Sequence, residues 1–513
     1  MALFESLLVL LALAVLLLQV SRRFAIPYPS ILALAGLMVA ALPSSPKIAV
    51  DPDLALALFI APALLGAAYD IPPRALRKHW RHLIALAGVA VLLTTAAVTW
   101  IGMTFAGLPL AAAIALGAIV APPDAAAATA ILGQLALPRK TVLVLQGESL
   151  LNDAVTLLVF TAAVGAQVAG GITLGFAAQI MFAAPAGIVF GIIVAKLYVA
   201  VAPRLKGTLA GTLSEFAMTF GVWIVAGHLK ISAVLAVVAY AMVISHHIPR
   251  RQSARDRIHS YSVWNTAVFL LNIVAFLLMG LLTRQVVLQL PRDQIWPSLG
   301  FASLVFATVV LVRIAWVVAY NRVVSFWGTR RGGVEAPTLA VGIVMSWCGM
   351  RGVVTLAAAL ALPLEFPQRE LIQLSALTVV IGSLVLQGMT LAPLVKALGF
   401  AADGSFKQEL AAAQVQLLDV ALSKLEGASD PDSEALREIY LSEKESASRG
   451  DHPREESGSD AIKRRHIHAQ RQRLTEMRAT GMIEDDIYHA LEGELDWAEM
   501  AVSPPEKFEI LEG

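Results

Sequence analysis

The feature that most limits the fold of this chain is a series of long apolar segments in its first 400 residues. A helix needs about 20 mostly apolar residues to cross the roughly 30 Å hydrocarbon core of a bilayer. Thirteen segments have this character: residues 2–20, 26–43, 53–70, 83–106, 108–134, 143–169, 174–200, 208–227, 231–248, 262–290, 294–323, 336–362 and 368–398. Because backbone polar groups cannot stay unpaired in lipid, such segments fold as packed helices. The sequence therefore predicts an all-α, polytopic membrane protein with about thirteen transmembrane helices.

Composition separates two regions of the chain. Hydrophobic residues make up 57% of the whole and charged residues 15%, but the sequence after about residue 400 is crowded with charge. We expect a transmembrane domain over residues 1–400 and a small helical cytoplasmic tail over residues 401–513, with a flexible linker near residues 446–459. The single cysteine, Cys348, excludes an intramolecular disulfide and a multi-cysteine metal site. We expect no nucleic-acid partner.

Basic residues predict how the helices are oriented. They lie in every second loop: Arg22/Arg23, Arg74/Arg77/Lys78/Arg81, Arg139/Lys140, Arg204/Lys206, Arg250/Arg251/Arg255/Arg257 and Arg322/Arg330/Arg331. Since such loops stay in the cytoplasm, thirteen spans place the N-terminus outside and the tail inside. In the first segment the arginines follow the apolar run, so we expect a retained helix rather than a signal peptide. These patterns predict a multi-pass protein of the cell (inner) membrane.

Two of the predicted spans are interrupted. Pro122-Pro123 precedes Asp124 in the fifth span, and Gly349 and Gly352 flank Arg351 in the twelfth. An Ala-rich half-helix follows each interruption. Two interrupted helices at corresponding positions of two halves are typical of an inverted-repeat transporter with a binding site at the membrane midplane.

A short polar stretch, residues 146–153 (QGESLLND), lies inside the sixth span. On a helix, Ser149 and Asp153 share one face, and Glu148 and Asn152 share another about 100° away. The first face can offer oxygen atoms to a small hard cation such as Na⁺. A carboxylate that binds either a cation or a proton is sufficient for exchange. For these residues the alternative role is hydrogen bonding between packed helices.

Asp124 and Arg351 are further charged residues expected at membrane depth. If the fifth and sixth spans pack together, Asp124 and Asp153 form one site for Na⁺ or K⁺. Arg351 keeps its charge and must be paired, and the expected partner is Glu148. This pair either fixes the broken helices or contacts the ion directly. Glu215, also near membrane depth, is a candidate for lining an entrance.

Three segments resemble a known family. Residues 147–154 (GESLLNDA) resemble the signature of the monovalent cation/proton antiporters, in particular the bacterial sodium/proton exchanger branch. Residues 346–363 (SWCGMRGVVTLAAALALP) are similar to that family's arginine-containing broken helix, and residues 232–241 (SAVLAVVAYA) to another of its spans. The resemblance covers about residues 1–400. It implies thirteen helices in an inverted repeat, with a dimerisation domain, a mobile six-helix core and assembly as a homodimer.

The resemblance also implies a role for each polar residue of the motifs. Asp153 alternately holds the cation and the proton, and Asp124 and Ser149 assist. Asn152 resembles the electroneutral branch, in which one cation exchanges for one proton. The implied stabilising ion pair falls at two positions: Glu148 and Arg351. Two departures leave the coordination and the Na⁺/K⁺ preference open: Pro123 stands where the family has a threonine, and Gly66 stands where many members have an acid.

The sequence thus predicts an antiporter that exchanges Na⁺ for protons by alternating access, surrounded by membrane lipid and without a cofactor. K⁺/H⁺ exchange is the nearest alternative. A cation channel or sensor is a second alternative, which the broken helices disfavour. An intramembrane enzyme needs a nucleophile with a base, and no His or Cys stands at helical spacing from Asp153.

Overall fold

The computed structural model describes residues 2–24, 27–41, 52–70, 83, 85–124, 139–171, 174–205, 207–248, 252–331, 338–400, 405–427, 430–449, 458–480 and 482–503. The chain divides into two compact units, residues 1–401 and 402–512. Within the described ranges both units consist of helices and turns and contain no β-strand. The predicted all-α fold is confirmed.

The first unit contains fifteen described α-helices. They are α1 Ala2–Phe24, α2 Tyr28–Ala41, α3 Pro52–Asp70, α4 Ala90–Phe105, α5 Leu110–Val120, α6 Arg139–Val168, α7 Leu174–Val201, α8 Leu209–His228, α9 Ala233–His247, α10 Ala254–Gln289, α11 Ile295–Arg331, α12 Leu339–Trp347, α13 Val353–Leu360, α14 Arg369–Gly382 and α15 Met389–Leu398. Two π-helical segments, Ala85–Val89 and Ser383–Gly388, lead into α4 and α15.

Several of these helices are long and apolar enough to cross a membrane. In the described part of the chain, seven stretches qualify: Ala87–Phe105, Val144–Val168, Met181–Leu205, Leu209–His228, Ala254–Gln289, Ile295–Phe326 and Arg369–Leu398. Shorter apolar helices occupy other predicted spans, among them Leu110–Val120 and Ala233–His247. The protein is therefore a multi-pass membrane protein, and the count of thirteen spans stays a prediction.

Small residues bring helix pairs into backbone contact. A Cβ atom placed on Gly36 of α2 would lie 2.5 Å from the carbonyl oxygen of Leu277 on α10. A Cβ on Gly187 of α7 would lie 2.5 Å from the carbonyl oxygen of Ser232, the residue before α9. In lipid, where no hydrophobic effect drives helices together, such close packing supplies much of the association energy.

Both predicted interruptions belong to the first unit. Helix α5 ends at Val120 and residues 121–124 are not helical, while residues 125–138 lie outside the described residues. Helix α12 ends at Trp347, and α13 begins only at Val353. Helix α13 packs against α3, α5 and α6. The two breaks are thereby brought face to face beside α6.

The second unit consists of two helical hairpins, and each is held by ion pairs. Its described helices are α16 Ser405–Lys424, α17 Pro431–Ser448, α18 Gly458–Ala479 and α19 Asp485–Val502. Lys444 pairs with Asp419 at 2.5 Å between α17 and α16. Arg471 pairs with Glu499 at 2.6 Å between α18 and α19. Helix α17 includes residues 446–448 of the predicted linker, whereas residues 450–457 lie outside the described residues.

Candidate ion-binding site

Asp124 joins the break after α5 to the break before α13. The backbone N–H of Asp124 donates to the carbonyl oxygen of Met350 at 2.6 Å. The Oδ2 atom of Asp124 accepts a hydrogen bond from the backbone N–H of Val353, the first residue of α13, at 3.3 Å. The free N–H groups and the dipole at a helix N-terminus both stabilise an anion. Asp124 thus caps the N-terminus of α13.

Arg351 makes the reciprocal contact at the other break. Its Nε atom donates to the carbonyl oxygen of Val120 at 3.1 Å, and its Nη2 atom donates to that of Ala121 at 3.3 Å. Arg351 also donates to the carbonyl oxygen of Gly349. A cation is stabilised by the carbonyl groups at a helix C-terminus. Each interrupted helix therefore has its charged end neutralised by a side chain from the other.

Gly352 allows the two breaks to come this close. A Cβ atom at position 352 would overlap the Asp124 carboxylate. No residue larger than glycine fits there unless the carboxylate moves. Gly352 therefore has two roles: it interrupts the helix, and its lack of a side chain leaves space for the Asp124 carboxylate.

Asp153 lies on α6 next to this crossing. It is 8% exposed, and neighbouring Asn152 is fully buried. The carboxylates of Asp153 and Asp124 lie within electrostatic reach of each other. The structure thus brings together the two residues that the sequence predicted to form one site, while Ser149 lies one turn earlier on α6, partly buried.

Two neutral oxygen atoms near Asp153 have unused hydrogen-bonding capacity. Among the described residues, neither Oδ1 of Asn152 nor Oγ1 of Thr156 has a hydrogen-bond partner, although both are buried. Thr156 follows Asp153 by three positions and so lies on the same side of α6. Buried polar atoms in proteins normally bind a protein group, water or an ion, so these two oxygen atoms are candidate ligands for a cation. Sequence reasoning missed Thr156, whose signal was its helical spacing from Asp153.

Glu148 has a different partner from the one expected. The guanidinium of Arg313 on α11 forms a salt bridge with Oε1 of Glu148, and its Nη2 atom donates to Oε2 at 3.2 Å. The Nη2 atom of Arg313 also donates to the carbonyl oxygen of Met345 at 3.1 Å. The predicted Glu148–Arg351 pair was wrong, because Arg351 is bound by the carbonyl groups of α5. Arg313 makes a bidentate contact with the Glu148 carboxylate, which the planar guanidinium group favours.

Sequence reasoning also missed Arg313. It stands alone in the middle of a long apolar run, residues 304–320 (LVFATVVLVRIAWVVAY). A lone arginine at such depth is a strong indication of a buried acidic partner. The structure confirms that Arg313 is buried, with 4% of its surface exposed.

The two departures from the family pattern can be located. Pro123 is buried immediately before Asp124, where it offers no hydroxyl group. Gly66 is partly buried on α3, and a Cβ placed there would meet nothing within 4 Å. Neither position offers a side-chain oxygen atom to the site.

Comparisons with known proteins agree with this architecture. Residues 8–397 match the family "Sodium/hydrogen exchanger, transmembrane". A Na⁺/H⁺ exchanger of Mycobacterium tuberculosis is 28% identical over 94% of this chain and 93% of its own length. The exchanger YjcE of Escherichia coli is 30% identical over 67% of this chain and 66% of its own length.

A further relative and a solved structure are also similar. The sodium, potassium, lithium and rubidium/H⁺ antiporter of Bacillus subtilis is 29% identical over 71% of this chain and 57% of its own length. The sodium proton antiporter MjNhaP1 of Methanocaldococcus jannaschii has the same fold, with a TM-score of 0.60 and 17% identity over 78% of this chain and 100% of that one. Since the family match spans most of the sequence, this protein belongs to the sodium/hydrogen exchanger family of membrane transporters.

Proposed function

We propose that this protein exchanges Na⁺ for H⁺ across the membrane at a site formed by Asp153 and Asp124. The observation that carries the proposal is the placement of the two carboxylates at the crossing of two interrupted helices. Like charges within electrostatic reach of each other in a poorly hydrated site repel each other, and binding of a cation or a proton relieves that repulsion. Occupation by one excludes the other, and this competition couples their movements.

Asp124 and Asp153 have different roles in this proposal. The N-terminus of α13 stabilises the charge of Asp124, which therefore stays ionised in both halves of the cycle. Asp153 is then the carboxylate that trades a proton for a cation. The neutral oxygens of Ser149, Asn152 and Thr156 supply further ligands, as a hard cation requires. Asp153 binds one Na⁺ or one H⁺ at a time, and neighbouring Asn152 is neutral. One Na⁺ is therefore exchanged for one H⁺ without net charge movement.

Two sets of contacts around the site support a transport cycle by alternating access. Reciprocal capping by Asp124 and Arg351 ties the two breaks together, and the Glu148–Arg313 pair ties α6 to α11. These contacts let the elements carrying the site move as one body against the remaining helices. The proposal also includes a homodimer in the inner membrane, an outside N-terminus, a cytoplasmic tail, and no cofactor beyond the transported ions.

K⁺/H⁺ exchange is a second candidate, since the Bacillus subtilis relative is named for four alkali cations. Proteoliposomes with an imposed pH gradient separate these functions. We expect Na⁺ to dissipate the gradient at the same initial rate with or without a clamped membrane potential. A faster rate with K⁺ than with Na⁺ identifies the second candidate. Cation current without any proton movement identifies a channel and contradicts both.

A further inference from the structure

A cavity of about 440 Å³ lies among α3, α8, α9 and α10. Its inner end is formed by Glu215, Ser260 and Trp264, each no more than 9% exposed. Its mouth is formed by residues such as Ile258 and Tyr261, which are 49% and 62% exposed. The cavity therefore runs from an accessible opening to a buried polar end.

The buried end carries a carboxylate whose hydrogen-bond donors among the described residues are neutral groups. The Oε2 atom of Glu215 accepts a hydrogen bond from the Ser260 hydroxyl at 2.5 Å, and Oε1 accepts one from Nε2 of Gln252 at 3.2 Å. Within the described residues, Glu215 forms no ion pair with Lys or Arg. A cation beside a carboxylate favours the ionised form, which has about four acceptor positions, so two are available to a cationic ligand. A buried carboxylate in this state favours a cation as its next partner.

The walls favour a cation larger than a metal ion. The cavity is lined mainly by apolar and aromatic groups, including Leu65, Ile244, Tyr261 and Trp264. Trp264 is fixed against Phe216, with ring centroids 4.1 Å apart. Aromatic rings attract ammonium and guanidinium groups, and a volume of 300–1,000 Å³ with few polar groups is typical of organic ligand sites.

Two further groups indicate how a ligand lies in the cavity. In the part of the chain that the structure describes, the buried indole N–H of Trp264 has no acceptor, so it can donate to a ligand. Arg257 lines the exposed mouth and donates to the carbonyl oxygen of Gln252 at 2.9 Å. Because Glu215 lies at the buried end, it directs the charged end of a cationic ligand inward.

We propose that this cavity binds an organic cation, an ammonium or guanidinium group on an apolar body, with the charge at Glu215. The site is separate from the one around Asp153. Helix α3 contacts α8, α9 and α10 on the cavity side, and it also contacts α6 and α13, which belong to the ion site. In this proposal, a bound cation contacts α3, α8 and α10 together and stabilises their packing. It thereby slows the helix movement that ion exchange requires.

Calorimetric titration of the full-length protein in a maltoside detergent, without any ion gradient, tests the proposal. The probe is 4-phenylbutylammonium, compared with the neutral 4-phenylbutanol and corrected for titration into empty micelles. We expect the ammonium to bind at least tenfold more tightly than the alcohol. Glu215→Gln is expected to abolish this preference, while the exposed-residue control Glu365→Gln keeps it.

Two more variants keep the test decisive. Ser260→Ala removes a hydrogen bond at the same end of the cavity but leaves the carboxylate, so it is expected to keep the tighter binding of the ammonium. Loss of that preference in Ser260→Ala as well as in Glu215→Gln would show that disturbed packing causes the effect, and would overturn the proposal. Asp153→Asn is expected to bind the probe like the wild type. Equal affinity for ammonium and alcohol, unchanged binding in Glu215→Gln, or loss of binding in Asp153→Asn would overturn the proposal. Since no transport is measured, failure of the exchange function would not affect this result.

Discussion

The carboxylate of Glu148 on α6 is bound by the guanidinium of Arg313 on α11, and both side chains are buried. The contact joins two helices that are far apart in the sequence. It lies one helical turn from the residue pair Asn152–Asp153, and Nδ2 of Asn152 is 3.5 Å from Oε1 of Glu148. The ion pair therefore fixes the part of α6 from which the candidate site is built.

Removing one partner of this pair is expected to be costly. Arg313→Met leaves the Glu148 carboxylate buried without a cation, a change that typically costs about 3–5 kcal/mol. We expect a strong loss of thermal stability in detergent. The double variant Glu148→Leu/Arg313→Met removes both charges and is expected to recover much of that loss. A double variant as unstable as the single one would contradict a direct pairing.

A methyl group at position 352 is expected to disrupt the crossing. Gly352→Ala places a Cβ where the Asp124 carboxylate lies, and overpacking of this kind typically costs about 1–3 kcal/mol. We expect loss of Na⁺-dependent proton movement in proteoliposomes, together with lower thermal stability. Gly300→Ala is the matched control, because a Cβ at Gly300 meets nothing within 4 Å. Equal activity in both variants would show that Asp124 is not held as described.

Thr156 is expected to contribute one oxygen ligand to the transported ion. Thr156→Val removes the hydroxyl at nearly constant volume. A contact to a charged group is worth about 1.5 kcal/mol, so we expect the KM for Na⁺ to rise about tenfold. Thr156→Ser keeps the hydroxyl and is expected to stay near the wild-type value. If valine and serine raise KM equally, Thr156 acts through packing alone.

In the second unit, Asp430 caps the N-terminus of α17 and makes a pH-dependent contribution to the stability of that helix. The hydroxyl group and the backbone N–H of Ser433 both donate to its carboxylate, which lowers the pKa of Asp430 below its ordinary value. A carboxyl group with a lowered folded-state pKa adds stability above its unfolded pKa and loses it as the pH falls through the folded value. We expect the first turn of α17 to be protected at neutral pH and to fray in acid.

Hydrogen exchange of the full-length protein measures this effect. Asp430→Ala is expected to increase exchange severalfold in the first turn of α17 at neutral pH. Lys424→Ala, at the end of α16, serves as a control and is expected to leave that turn unchanged. Equal exchange in wild type and Asp430→Ala would show that the cap has no stabilising role.

The sequence predicted the helices and their interruptions well, because each of these features follows from one physical constraint. Long apolar runs and the cost of unpaired backbone groups were sufficient to predict helices, and the Pro and Gly breaks predicted where two of them are interrupted. The sequence also predicted that Asp124 and Asp153 form one site if the fifth and sixth spans pack together. Their roles in ion binding stay predictions.

The partners of charged residues were harder to predict. Both Arg313 and Arg351 are buried in the folded protein, and the sequence does not show which of them binds Glu148. Arg351 is held by the carbonyl oxygens of Val120 and Ala121, so only Arg313 is available. The partner of a buried charge thus depends on backbone carbonyl groups that are left without a helical partner where a helix is interrupted. A linear sequence does not show where those carbonyl groups lie.

In the proposed transport cycle, Na⁺ and H⁺ compete for Asp153. Titrating Na⁺ into the purified protein by calorimetry, in buffers with different ionisation enthalpies, measures the protons released for each Na⁺ bound. We expect release that approaches about one proton per Na⁺ as the pH is lowered within the working range, with neither saturable Na⁺ binding nor proton release in Asp153→Asn. Na⁺ binding without proton release in the wild type, or unchanged release in Asp153→Asn, would contradict the account.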